Sequence, residues 1–160
     1  MRKLVLGIGN ILLKDEGIGC HVVHALQQMS LADAEIIDGG TRPDILFLIE
    51  GVDKLIVVDA VRGGGMPGQI YKFGLRNVAR ECKPSWSLHD MSVLDALLLT
   101  RPWRNGDITV IGIEPKEIDW GLELSAEVRE KIPQIIEIIL AELNKGAKER
   151  ENADLTTETD

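Results

Sequence analysis

Cysteine is scarce in this chain: Cys20 and Cys82 are the two in 160 residues, and they form no CxxC pair. Neither a disulfide framework nor a thiolate zinc site can be assembled from within the chain, and a reducing cytosol fits best. No apolar run approaches the roughly 18 residues that span a bilayer, which excludes an integral membrane protein. The opening MRKLVLGIGN joins basic residues to an apolar stretch, but glycines and an asparagine interrupt it and no small-residue cleavage site follows. It reads as a first strand, not a signal peptide. Positive charge is also short, with 18 Lys plus Arg against 26 Asp plus Glu and a net charge of −8. An acidic surface repels a phosphate backbone, so nucleic acid is a poor partner. There is no internal repeat, and no GxSxG elbow supports a serine nucleophile.

What is present is enough for one packed domain: 44% of the residues are hydrophobic and 28% charged. Short apolar runs at 3–8, 34–38, 54–59, 69–73 and 107–113 alternate with helical patterns at 17–29, 43–50, 89–99 and 126–144. That alternation predicts an α/β fold, a single three-layer domain over 1–145 with a mainly parallel twisted sheet flanked by helices. In the first helix Ile18, Val22, Ala25, Leu26 and Met29 share a face. Pro43 suits the opening of the second helix, where a missing N–H costs nothing. Ser125 is the expected N-cap of the last helix, Pro133 should kink or split it, and Gly146 should stop it. The acidic tail at 146–160 has almost nothing to bury and is expected to be disordered. The stretch VRGGGMPGQ, 61–69, reads as a flexible loop beside a functional edge.

In open parallel sheets, ligands bind outside the carboxyl ends of the strands. That rule selects Glu16 in the loop after the first strand, Asp38 and Asp59 at the ends of the second and third, and His89 at the start of the helix after the long loop. Carboxylates and imidazole suit a borderline divalent ion such as nickel or zinc. Each position also has an ordinary structural reading. Asp38 and Asp59 stand where turn residues and caps stand, Glu16 sits where acidic residues serve a helix dipole, and His89 taken alone reads as a helix-start or surface histidine more than as a ligand. Cys20 and His24, four apart on a helix, would need two more ligands to hold a metal, and their neighbours face the core. His21 reads as a surface residue, and Cys82 shows no sign of activation. A nucleotide reading rests on Gly7, Gly9 and Asp38, but the fingerprint GxGxxG meets Leu12 where its third glycine belongs.

The ordered blocks GIGNILLKDEGIG at 7–19, DGGT at 38–41, LIVVDAV at 55–61, PGQIY at 67–71, SLHDMSVLDAL at 87–97 and IGIEP at 111–115 resemble the nickel-iron hydrogenase maturation endopeptidases. The resemblance implies a cytoplasmic peptidase that removes a C-terminal extension from the precursor of the hydrogenase large subunit after nickel insertion. It implies nickel contacts at Glu16, Asp59 and His89, a catalytic Asp38, and a cleft lined by Gly39, Gly40 and Thr41. The nickel would arrive on the precursor, with no tightly held metal of the enzyme's own. Two other readings stand beside it: a Rossmann-like nucleotide-binding module, and a scaffold that recognises nickel-loaded precursor without cutting it.

Overall fold

The computed structural model describes residues 1–42, 44–74 and 107–157, with the backbone alone at residue 46 and at 146–157. Five strands, β1 (Lys3–Ile8), β2 (Glu35–Gly40), β3 (Lys54–Ala60), β4 (Ile70–Gly74) and β5 (Asp107–Ile113), form one sheet in the order β2-β1-β3-β5-β4. All neighbours are parallel except β4, which pairs antiparallel with β5. The described helices are α1 (Ile18–Gln28), α2 (Ile45–Leu48), α3 (Ala126–Arg129) and α4 (Ile132–Thr157), and a 3-10 turn at Lys14–Gly17 precedes α1. The architecture is the α/β layering expected. The helix expected at 43–50 is shorter than its pattern suggested, and Pro43 and the helix expected at 89–99 lie outside the described residues.

The inner strands are continuous apolar runs because both of their faces are covered. Residues 4–8 of β1 and 54–58 of β3 are buried without alternation. On one face Val5, Ile56 and Val58 pack with Val22 of α1 and with Ile135 and Ile139 of α4. On the other, Leu4, Leu6, Leu55 and Val57 pack with Ile45 and Ile49. Helix α1 turns Ile18, Val22, Val23 and Leu26 inward, whereas Met29, expected on that face, lies past its end and is exposed. Two glycines let α1 lie backbone-close on the sheet. A Cβ at Gly19 would run into the Val58 carbonyl, and one at Gly7 would run into the Gly19 carbonyl.

The last helical region is split between Arg129 and Ile132, so Pro133 falls in the first turn of α4, where no partner for its N–H is needed. Two expectations are corrected at its ends. Ser125 occupies the N-cap position of α3 but caps nothing, because its hydroxyl donates instead to Asp15 Oδ2 at 2.8 Å. Gly146 does not stop α4, which runs on to Thr157 through the tail expected to be disordered. A helical glycine costs only about 1 kcal/mol relative to alanine, and Ala147, Lys148, Glu149 and Arg150 that follow are all good helix formers.

Asp15 is fully buried and ties the turn before α1 to the far end of the chain. Its carboxylate accepts the backbone N–H of Lys116 at 2.9 Å, of Glu117 at 3.0 Å and of Ser125 at 2.8 Å, besides the Ser125 hydroxyl. Burial opposes its ionisation, but these donors outweigh burial and hold the carboxyl below its ordinary range. A second buried carboxylate, Glu142 of α4, meets Lys72 at 2.7 Å, Lys145 at 3.3 Å and the buried Lys54 at 3.5 Å, and accepts the Thr109 hydroxyl at 3.1 Å. Burial raises its pKa, yet the ammonium groups and the hydroxyl prevail and hold it at about 2.

Asp15→Asn turns an amide NH2 toward backbone donors, and urea unfolding should show a loss of about 2 to 4 kcal/mol. Glu142 has a depressed folded pKa, so its stabilisation is complete above the ordinary carboxylate value of 4.5 and is lost as pH falls toward about 2. Glu142→Gln should therefore lower stability at neutral pH and make the fall in the urea midpoint between those two pH values shallower.

Candidate active site

From β1 the chain moves outward to β2 and then crosses to β3 on the opposite side, so the crevice at the carboxyl ends of β1 and β3 is the topological switch point. Gly9 stands in that crevice with φ +126°, in the left-handed region that favours glycine. A Cβ there would collide with the Glu16 carbonyl and lie 3.5 Å from Asp59 Oδ1. The glycine thus lets the Glu16 turn close onto Asp59. Asp59 Oδ1 accepts the Ala60 N–H at 2.8 Å.

Burial pushes the Asp59 carboxyl well above its ordinary range; the Ala60 N–H opposes the shift and the Glu16 charge adds to it. Burial raises Glu16 as well, against the charge of Arg62. Desolvation of a carboxyl group favours its protonated form, or a cation brought beside it. The oxygens of Glu16 and Asp59 suit a divalent ion, given further donors. His89 lies outside the described residues, and among the described residues no three His, Cys, Asp or Glu side chains form a metal-holding group.

Asp38 is brought to the same edge of the sheet but not to the same face. Ile36 packs in the cluster under α1 and Asp38 follows it on that side, whereas Leu55 and Val57 of the opposite cluster share their face with Asp59. Asp38 Oδ1 accepts the Gly40 N–H at 3.0 Å, and Oδ2 lies 2.7 Å from His24 Nε2. Burial works against its ionisation, but hydrogen bonds from Cys20, His24 and Gly40 hold the carboxyl below its ordinary range. The sequence reading considered His24 with Cys20 as a metal pair. The structure turns the imidazole to Asp38 instead.

Cys20 is buried, with its thiol 3.5 Å from the Gly9 carbonyl oxygen. Burial, then the Asp38 carboxylate, pushes that thiol up to about 12. It stays protonated and is no nucleophile, although a Cys, a His and an Asp stand together. His21, expected on the surface, is half-buried, and burial lowers its pKa. Cys82 lies outside the described residues.

Gly39 and Gly40 have structural reasons to be glycine. A β-bulge falls where Gly7 pairs with Asp38 and Ile8 with Gly40. A Cβ on Gly39 would press on Leu6, and Gly40 has φ +50° while its carbonyl accepts the Gly9 N–H at 3.0 Å. Thr41 beside them is exposed.

The loop at 61–69, read as flexible, is pinned by a residue that the sequence reading passed over. Buried Glu114 accepts the Gly63 N–H at 2.7 Å and the Tyr71 hydroxyl at 3.2 Å through Oε2, and Tyr71 Oη accepts the Gly65 N–H at 3.0 Å. The Glu114 carbonyl takes the Gly68 N–H at 2.8 Å. Glu114 lies in the IGIEP block, yet nothing local reveals a target 51 residues earlier.

The nucleotide alternative finds no support at the switch point. After Gly9 the chain makes the 3-10 turn at Lys14–Gly17 before α1 begins, so no helix N-terminus follows the GxG to receive a pyrophosphate.

Comparison with known proteins identifies the family. The family model for the hydrogenase maturation protease HycI matches residues 20–142. The hydrogenase 2 maturation protease of Escherichia coli is 33% identical over 93% of this chain and 94% of its own. A solved hydrogenase maturating endopeptidase from E. coli superposes with a TM-score of 0.80 at 32% identity, covering 91% of this chain and 94% of that one. A [NiFe] hydrogenase maturation protease from Thermococcus kodakarensis gives 0.71 at 28% identity, over 88% and 98% of the two chains. This chain belongs to the hydrogenase maturation protease family, and it is a peptidase.

Proposed function

We propose that this peptidase removes the C-terminal extension from the nickel-loaded precursor of a [NiFe]-hydrogenase large subunit. The observation that carries the reading is the approach of the Glu16 turn to Asp59 across Gly9, with both carboxyl groups raised by burial. Such a pair is poised to exchange a proton for a divalent ion. Nickel already held by the precursor contacts Glu16, Asp59 and His89, so the metal is part of the substrate and precursor without it lacks the handle. The enzyme needs no resident metal of its own.

The chain's own residues do the remaining work. The bulge at Gly39 and Gly40, with Thr41, lines the approach to the peptide. Asp38 serves hydrolysis from the α1 side of the sheet edge, where its carboxylate is ionised. The loop at 61–69, held by Glu114, forms the wall beside Asp59. No described helix is long and apolar enough to cross a membrane. Cysteine scarcity and the free, buried Cys20 thiol fit a reducing cytosol, where we place the reaction.

Intact mass spectrometry of a large-subunit precursor incubated with the protein tests the reading. The expected result is loss of a C-terminal peptide from nickel-loaded precursor and none from nickel-free precursor. Equal cleavage of both forms would remove the metal from recognition, and cleavage of neither would leave the scaffold reading in its place. Asp59→Ala should slow processing of the loaded form by about a hundredfold or more, since it deletes a direct contact to the metal.

A further inference from the structure

Asp38 has one feature that its role in hydrolysis does not use. Its two oxygens are both engaged, Oδ1 by the Gly40 N–H at 3.0 Å and Oδ2 by His24 Nε2 at 2.7 Å. The group is held ionised, below the ordinary carboxylate range. A carboxylate so well supplied with donors is a weak base. Because it accepts and does not donate, the hydrogen of the short contact belongs to His24 Nε2, and in the neutral ring Nδ1 is then the bare nitrogen. The imidazole is not enclosed, since 48% of its side chain is exposed at the sheet edge.

We propose that His24 is the general base of the peptidase reaction and that Asp38 is its positioning residue, fixing the tautomer and the ring orientation. The inference rests on the cleavage reading above and deepens it. His24 Nδ1 takes a proton from water as the water oxygen bonds to the scissile carbonyl carbon. As the C–N bond breaks, the same proton passes to the departing amine, leaving a carboxylic acid on one product and an amine on the other. No oxidant, reductant or covalent enzyme intermediate is needed. The proton-transfer group stands on the α1 face of the sheet and Asp59 on the other.

Two measurements test this. In single-turnover cleavage of nickel-loaded precursor, His24→Ala should slow the reaction by about a hundredfold or more while precursor affinity stays within about twofold. Added imidazole should restore part of the rate. His24→Gln keeps an N–H for Asp38 but carries no basic nitrogen, and it should be as slow as His24→Ala. Full activity of His24→Gln would make His24 merely a prop for Asp38 and overturn the proposal. So would a His24→Ala rate within about threefold of the parent, or loss in both variants with no gain from imidazole.

The second measurement needs no cleavage. Nitrogen-15 histidine NMR of the intact protein, with the His24 signals identified by their absence in His24→Gln, should show the neutral ring with its hydrogen on Nε2 and Nδ1 bare. Asp38→Asn should disturb that tautomer. A neutral ring with its hydrogen on Nδ1 in the parent would overturn the proposal even if cleavage proceeds. If the parent fails to cut loaded precursor while the tautomer is as stated, the failure belongs to the substrate reading and the dyad stands.

Discussion

The buried Asp15 carboxylate decides where the site can be. With four donors around it, it anchors the turn between β1 and α1 to the segment 116–125. The anchor is reinforced on either side, by Lys14 N–H to the Gly121 carbonyl at 2.9 Å and by Gly121 N–H to the Leu12 carbonyl at 2.8 Å. Glu16 is the next residue, so its backbone has no freedom that Asp15 does not share. A buried ionised group left without its donors would be costly, which makes the tie all or nothing. The position of a surface-facing acid is thus set by an acid that never meets solvent.

The glycines complete what Asp15 begins. Gly7 and Gly19 bring α1 down onto β1 and β3, and Gly9 opens the gap through which Glu16 approaches Asp59. In a dinucleotide-binding turn, the glycine that allows close helix packing comes soon after the first two. Here that duty falls to Gly19, after the 3-10 turn. The loop gained between Gly9 and Gly19 is where Glu16 stands. A fold related in outline to nucleotide binders therefore presents carboxylates where they present a helix end.

The edge of the sheet then divides into two chemical halves. Strand alternation sends Asp59 to one face and Asp38 to the other, where His24 meets it. In the first half burial raises the carboxyl groups, which suits exchange of a proton for a cation. In the second, donors outweigh burial and keep the carboxylate charged. Opposite shifts in neighbouring carboxylates fit the division of roles proposed above. Loop 61–69 bounds the first half as a fixed wall, because Glu114 and Tyr71 hold its glycine N–H groups.

The sequence by itself determined the layers and the strands. β1 and β5 have the bounds of their apolar runs, since a strand covered on both faces must be apolar throughout and ends where polar or turn residues begin. It also placed Glu16 in the loop after the first strand and Asp38 and Asp59 at the ends of the second and third, because a parallel sheet gathers its loops at one edge. The extent of α4 was not legible, since a helix end depends on competing small terms and one glycine settles little. Nor was the difference between Asp15 and Glu16, two adjacent acids of the same chemistry. Only tertiary structure buries one of them, because its donors lie 101 to 110 residues along the chain. The same holds for Ser125, whose hydroxyl leaves its cap for Asp15, and for His24, whose partner is on β2 and not on its own helix. Period and composition report which face a residue turns inward; which polar group it meets there is decided by how separate elements pack.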